Sequence, residues 1–282
     1  MVIRFRLLGA VEAFVDGTAV DLGHSRQRHV LAVLLVEANR VVHVDQLLDR
    51  VWVGRSPQRA HSVLYSYLSR LRRCLSSAED LAIVRQQGGY LLRVDPMAVD
   101  LHRFQELVAR ARLAGDDAQA LCQFDEALGL WRGEPFARLD HPWFDTLRTS
   151  LQQARLTAER DRTDIALRRG QHSTLLSELS REVAEQPLDE RLAGQLMLAL
   201  SRSGRQAEAL DRYQRIRRAW PTGWASTRGL TCRSCIYGSS TATARPPPRA
   251  RYGHLRNRPL ATRPGSYRRR CPSSAGPASW RR

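Results

Sequence analysis

The chain has 282 residues, of which 43% are apolar, and length alone suggests about two domains. No apolar run reaches the roughly 18 residues that a membrane helix needs, and no signal peptide opens the chain. We therefore expect no membrane partner and a cytoplasmic, nucleoid-associated protein. The net charge of +17 suggests nucleic-acid binding, but residues 219–282 hold 13 arginines and no acidic residue, so most of the excess lies at the end of the chain.

The first 52 residues predict a small sheet followed by two helices. Alternating patterns predict strands over residues 3–8, 13–15 and 19–22. Asp16-Gly17 is typical of a hairpin turn. Ser25 is expected to cap a helix whose buried stripe consists of Val30, Leu31, Leu34 and Leu35. The segment Val41-Val42-His43-Val44 precedes Asp45, which is expected to cap the second helix.

A third helix carries the pattern that points to function. Ser56-Pro57 is a good helix start. One apolar stripe then recurs at helical spacing: Leu64, Leu68, Leu71 and Leu75. The opposite side holds arginines and small polar residues without a carboxylate: Arg59, Ser62, Ser66, Ser69, Arg70 and Arg73. Such a helix can bury its leucines and present its other face to a DNA major groove.

Two β-rich runs follow over residues 83–94, separated by Gly88-Gly89, which predicts a hairpin. A helix followed by a hairpin is the winged-helix arrangement. The first domain is therefore expected to be α+β and to end near residue 97.

Residues 98–218 are helical throughout and contain an internal repeat. The segment from Gly115 to Phe124 matches the segment from Gly204 to Tyr213, and a weaker copy starts at Gly170. Gly170 and Gly204 are 34 positions apart, which is the period of a tetratricopeptide array. We predict an all-α, tetratricopeptide-like helical-repeat domain, with a plain helical bundle as the alternative.

Residues 219–282 differ abruptly in character, because helical periodicity stops and 8 of the 13 prolines occur there. One interpretation is a disordered basic tail that binds nucleic acid without sequence preference. Our preferred hypothesis is that these residues are frame-shifted, because a shifted reading of plausible GC-rich codons gives a sensible helix end and turn.

The order of elements resembles an OmpR-type winged helix, and residues 1–218 resemble the streptomycete antibiotic regulatory protein (SARP) family with its bacterial transcriptional activator domain. The resemblance is carried by residues 26–28, Leu47-Leu48 with Trp52, residues 69–73 and 89–92, Val99-Asp100 with Phe104, and residues 131–136. It implies a pathway-specific activator of a secondary-metabolite (antibiotic) gene cluster. Such a protein binds direct repeats near promoters and recruits RNA polymerase.

The resemblance gives Ser66, Arg70 and Arg72 as DNA contacts. Helical geometry adds exposed positions of the same helix: Arg59, Ser62, Tyr65, Ser69 and Arg73. Arg26 and Arg28 are expected to hold phosphates, and the wing-tip residues Arg85, Gln86 and Gln87 to reach a minor groove or phosphate.

We thus predict a DNA-binding domain over 1–97, an activator domain over 98–218 and a tail over 219–282. The predicted partners are double-stranded promoter DNA and RNA polymerase, with self-association as a homodimer left open. The alternative is a protein-interaction adaptor or a defective, truncated regulator. No nucleotide or hydrolase motif is present, the histidines are scattered, and Cys232 and Cys235 form a lone pair. We therefore expect no enzyme activity, cofactor or metal.

Overall fold

A computed structural model of the chain describes residues 2–52, 54, 59–76 and 81–219. The chain up to Ala219 forms one compact unit. The helix start at Ser56-Pro57, the lone cysteine pair and the frame-shift hypothesis all fall outside the described residues. The domain boundaries after residues 97 and 218 stay predictions. Within the described part of the chain, no helix has the length and apolar character needed to cross a membrane.

The chain begins with an antiparallel three-stranded sheet in the order β1-β2-β3. Its strands are β1 (Ile3–Arg6), β2 (Glu12–Val15) and β3 (Thr18–Val20). Val15 pairs with Thr18, so the connection between β2 and β3 is two residues long. Asp16 and Gly17 both have positive φ, 48° and 84°, as the favoured two-residue hairpin turn requires. The predicted hairpin is confirmed.

Two helices and a short strand come next: α1 (Ser25–Val36), β4 (Val41–His43) and α2 (Val44–Val51). Both predicted helix caps are wrong. The N-cap residues are His24 and His43, so Ser25 is already the first helical residue and Asp45 lies in the first turn of α2. A carboxylate in the first turn is still favourable, because it lies near the unpaired N–H groups at the positive end of the helix dipole.

The third helix, α3 (Ala60–Cys74), is followed by the hairpin of β5 (Ala82–Gln86) and β6 (Gly89–Arg93). The second sheet has the order β4-β6-β5. Its turn is Gln87-Gly88 rather than the predicted Gly88-Gly89, because Gly89 already pairs with Gln86. Gly88 has φ +76°, and a Cβ on Gly89 would lie 2.3 Å from the carbonyl oxygen of Val42 in β4. The two glycines therefore have different roles, a left-handed turn and a close strand approach.

The rest of the described chain is helical. A short 3₁₀ turn (Pro96–Ala98) leads into α4 (Asp100–Leu113), α5 (Asp117–Leu128), α6 (Pro142–Arg168), α7 (His172–Glu185), α8 (Glu190–Arg202) and α9 (Gln206–Ala219). We call residues 2–94 the winged-helix part and residues 96–219 the helical part. Consecutive helices of the helical part pack on each other, as expected for a helical repeat.

The internal repeat corresponds to equivalent places in the helical part. Gly115, Gly170 and Gly204 each lie two residues before a helix, α5, α7 and α9 respectively. Five residues after each glycine stands a buried apolar residue: Ala120, Leu175 and Ala209. The repeated pattern therefore marks the start and the buried face of alternate helices.

A buried carboxylate joins the winged-helix part to the helical part. Asp100, at the first position of α4, accepts hydrogen bonds from the backbone N–H groups of Leu7 (2.7 Å) and Leu8 (3.2 Å). Arg132 donates from Nη2 to the same carboxylate at 2.6 Å, and its backbone N–H donates to the carbonyl of Leu8 at 2.9 Å. Burial raises the pKa of the Asp100 carboxyl, and the N–H groups of Leu7 and Leu8 and the charge of Arg132 act in the opposite direction.

Three further contacts cross the same junction. The imidazole Nε2 of His102 on α4 donates to the carbonyl oxygen of Leu35 on α1 at 2.8 Å. The guanidinium of Arg50 on α2 lies 4.6 Å from the ring centroid of Trp143 on α6. His29 on α1 meets the ring of Phe144 on α6 edge-on, at 5.6 Å between centroids. The buried apolar residues of the two parts also form one continuous hydrophobic core.

Candidate nucleic-acid interface

The third helix buries one face and exposes the other, as its sequence pattern predicts. Its leucine stripe is fully buried against α1 and α2, with Leu64, Leu68 and Leu71 at 0% exposure. Every described candidate on the outer side is solvent-exposed: Arg59, Ser62, Tyr65, Ser66, Ser69, Arg70, Arg72 and Arg73. The helix contains no acidic residue, so this outer face has no negative charge of its own to repel phosphates.

Arg72 is tied to the hairpin. Its Nε donates to the carbonyl oxygen of Ile83 in β5 at 2.9 Å, and its guanidinium lies 5.6 Å from the ring centroid of Tyr90 in β6. Because a guanidinium carries five N–H groups, four remain for other partners. The side chain thus holds α3 to the wing while remaining able to bind an anion. Sequence reasoning missed the contact with Ile83, since no local pattern reports which carbonyl of a distant strand faces the helix.

Tyr65 lies between the helix and the wing. Its side chain is 41% exposed, its ring is 6.4 Å from that of Tyr90, and the guanidinium of Arg85 lies 6.0 Å from its centroid. This cation–π geometry holds Arg85 next to the helix. The other wing candidates, Gln86 and Gln87, are exposed at the turn.

The start of α1 meets the opposite flank of α3. The guanidinium of Arg26 lies 5.9 Å from the ring of Trp52, which stacks on Tyr67 of α3 at 6.3 Å. Arg70 follows Tyr67 by three residues and so shares its side of the helix, whereas Tyr65 and Arg72 share the wing side. Positive charge therefore lies on both flanks of the exposed face.

The two arginines of α1 differ in accessibility. Arg26 is exposed, but Arg28 is half-buried, and its Nε has no hydrogen-bond partner among the described residues. Arg26 is thus the better placed of the two for contact with a ligand from solvent. Among the described residues, no cluster of three His, Cys, Asp or Glu side chains could hold a metal ion.

Comparison with known proteins supports the architecture seen here. Residues 17–92 match the model for the C-terminal domain of transcriptional regulatory proteins, and residues 99–221 match the bacterial transcriptional activator domain. A solved structure of Mycobacterium tuberculosis EmbR in complex with a low-affinity phosphopeptide is similar, with a TM-score of 0.73 and 32% identity. That match covers 83% of this chain and 64% of the EmbR chain.

Two regulators of Streptomyces extend the similarity along the sequence. Regulatory protein AfsR of Streptomyces griseus is 39% identical over 219 residues, which cover 77% of this chain and 22% of AfsR. The chain thus spans about a fifth of AfsR. Regulatory protein DnrI of Streptomyces peucetius is 32% identical over 228 residues, which cover 77% of this chain and 84% of DnrI. With both domains matched in order and most of DnrI covered, the chain belongs to the streptomycete antibiotic regulatory protein family of transcriptional activators.

Proposed function

We propose that the protein binds double-stranded promoter DNA in a sequence-specific way, with α3 in the major groove. The observation that carries this proposal is the outer face of α3, which is exposed, free of carboxylates and flanked by arginines on both sides. A helix of this kind fits the major groove, where an arginine fork can bond O6 and N7 of a guanine together.

The side chains divide into three roles in this proposal. The guanidinium groups of Arg70 and Arg73 make no hydrogen bond or ion pair with the described residues, so they can read base edges. Hydroxyl groups along the same face bind phosphates and set the register: Ser62, Tyr65, Ser66 and Ser69. The remaining candidates bind the backbone at the edges of the site: Arg26, Arg28, Arg59, Arg72, Arg85, Gln86 and Gln87.

We further propose that the targets are promoters of a secondary-metabolite gene cluster, read as direct repeats. The support is membership of the family together with the absence of charge bias in residues 98–218, which hold 19 arginines and 19 acidic residues. Such a surface suits protein contacts rather than DNA contacts. In this proposal the helical part contacts RNA polymerase or a second copy of the chain on the neighbouring repeat.

The test is DNase footprinting of the full chain, and of a variant that ends at Ala219, on the promoters of neighbouring genes. We expect spaced, protected repeats with both proteins. Arg70→Ala should weaken binding to the protected site by about 5- to 150-fold, which corresponds to about 1–3 kcal/mol for a bidentate base contact.

Arg181→Gln is the matched control, because Arg181 is an exposed arginine of α7, away from the proposed face. It should leave the footprint unchanged. Unlocalised binding, or a footprint that Arg70→Ala does not weaken, would refute the proposal and favour an interaction adaptor or a defective regulator.

A further inference from the structure

A cavity of about 430 Å³ lies at the junction of the winged-helix part and the helical part. Its walls come from the end of α1 and the turn after it, from the 3₁₀ turn and α4, and from α6. Its apolar lining residues are buried or half-buried, and we call them the floor: Val36, Ala38, Leu101, Leu147 and Leu151. The other lining residues are mostly polar and mostly exposed, and we call them the rim: Glu37, Arg40, Pro96, His102, Gln105 and Ser150.

The size and place of this cavity fall within the range that small-molecule sites occupy. Small-molecule pockets measure roughly 300–1,000 Å³ and occur preferentially where two domains meet. An engineered cavity of roughly 150 Å³ is already large enough to bind benzene. The apolar floor with polar groups at its edge is the usual lining of such pockets.

The rim has an unpaired positive charge. The carboxylate of Glu37 is paired with Arg50 at 3.0 Å, and Nε2 of His102 is bonded to the carbonyl of Leu35 at 2.8 Å. Arg40 is exposed, and its guanidinium makes no hydrogen bond or ion pair with any described residue. A ligand in this cavity would therefore meet one free cation at the rim and apolar side chains below it.

We propose that this cavity binds a small organic anion with an apolar body, such as an aromatic carboxylate, with the anionic group on Arg40 and the apolar body on Leu101, Leu147 and Leu151. The guanidinium supplies a charge-assisted hydrogen bond, and the floor supplies burial of apolar surface. Because α1 belongs to the winged-helix part and α4 and α6 to the helical part, the site is complete only when the two parts are docked. The proposal does not depend on DNA binding.

The test uses two probes with the same kind of apolar body, anionic 8-anilinonaphthalene-1-sulfonate and uncharged N-phenyl-1-naphthylamine. Fluorescence titration of the full chain should show saturable binding of the anionic probe at one site. Arg40→Gln should weaken the anionic probe about tenfold, the effect of losing a charge-assisted hydrogen bond, and leave the uncharged probe unchanged. Leu147→Trp, which fills the cavity, should abolish binding of both probes.

Arg181→Gln again serves as the matched control, since Arg181 lies on α7, which contributes no residue to the cavity. It should bind both probes like the unmodified chain. Equal affinity for the anionic probe in the Arg40→Gln and Arg181→Gln variants would overturn the proposal even if Leu147→Trp failed to fold. If the protein binds the probe but gives no footprint, only the DNA-binding function is refuted. If it gives a footprint but does not bind the probe, only the cavity proposal is refuted.

Discussion

The carboxylate of Asp100 and the guanidinium of Arg132 meet at 2.6 Å at the junction of the two parts, and the carboxylate also accepts the backbone N–H groups of Leu7 and Leu8. Asp100 is only 6% exposed, so water cannot readily replace its carboxylate as the acceptor for these donors. The side chain of Asp100 on α4 therefore accepts hydrogen bonds both from the backbone after β1 and from an arginine in the loop that follows α5.

Asp100→Ala should lower the free energy of unfolding by about 3 kcal/mol, because it leaves buried amide donors and Arg132 without their acceptor. Urea denaturation measures the change. Glu106→Ala is the control, since Glu106 makes an exposed pair with Arg110 on the same helix, and it should cost no more than about 0.5 kcal/mol. A similar, small loss in both variants would contradict the structural role of Asp100.

Arg72→Ala should weaken DNA binding by the same factor on matched and mismatched sites. The reason is that Arg72 fixes α3 to the carbonyl of Ile83 and offers its remaining N–H groups to phosphate, neither of which depends on base sequence. Arg70→Ala should instead weaken the matched site selectively. Fluorescence anisotropy on both kinds of site distinguishes the two, and a selective loss with Arg72→Ala would assign it a base contact.

Stability should fall as the pH drops below about 6.5, in part because of His29. Burial lowers the pKa of this imidazole, with the charges of His141 and Arg26 adding to the effect, while the carbonyl of Ser25 and Asp140 oppose it. The unfolded chain therefore binds the proton at His29 more readily than the folded chain does. The stabilisation from neutral His29 is fully present above its pKa in the unfolded state, and it is lost as the pH falls through its pKa in the folded state. One such site contributes at most about 1.4 kcal/mol per pH unit.

Urea midpoints at pH 7.5 and 5.5 measure this dependence, and His29→Gln should reduce the difference between them. His61→Gln replaces an exposed histidine of α3 and should leave the difference as it is. An unchanged pH dependence in the His29→Gln variant would exclude this histidine as a contributor.

Removing residues 220–282 should make DNA binding less sensitive to salt without changing the preferred sequence. The removed segment carries 13 arginines, and each phosphate contact releases counterions whatever the base sequence. A plot of log affinity against log salt concentration for the full chain and for the variant ending at Ala219 gives the two slopes. Equal slopes would show that these arginines do not bind DNA.

Resequencing the gene tests the frame-shift hypothesis. The match to the activator domain ends at residue 221, ten residues after Asp211, the last acidic residue of the sequence. We expect a single-base insertion or deletion near the codons for residues 218–220. An intact reading frame there would leave a genuine basic tail as the interpretation.

Short-range patterns predicted much of the fold. The leucine stripe of α3 and the turn at Asp16-Gly17 each depend on neighbours within one helical face or one hairpin, so the sequence alone was sufficient. The caps at Ser25 and Asp45 were wrong because several polar residues near a helix start can serve as the cap, and boundaries shift by one or two residues.

Long-range contacts could not be predicted. Asp100 follows Leu7 by 93 residues, and Arg72 reaches Ile83 only because the hairpin folds back beside α3. The exposed candidates on α3 follow from helical periodicity, but the tie between Arg72 and β5 depends on strand register. In that register Ile83 pairs with Leu92, and no local pattern shows that the carbonyl of Ile83 faces α3.

The shared carboxylate at the junction limits how such regulators can be recombined. A chimaera joined at residue 97 would take the amide donors of Leu7 and Leu8 from one parent and the acceptor, Asp100, from the other. A graft of a foreign winged-helix part would therefore succeed only where the backbone after its first strand presents two N–H groups to Asp100 in the same geometry. Under the proposed function, exchanging operator specificity between family members is better attempted by replacing the outer residues of α3 alone.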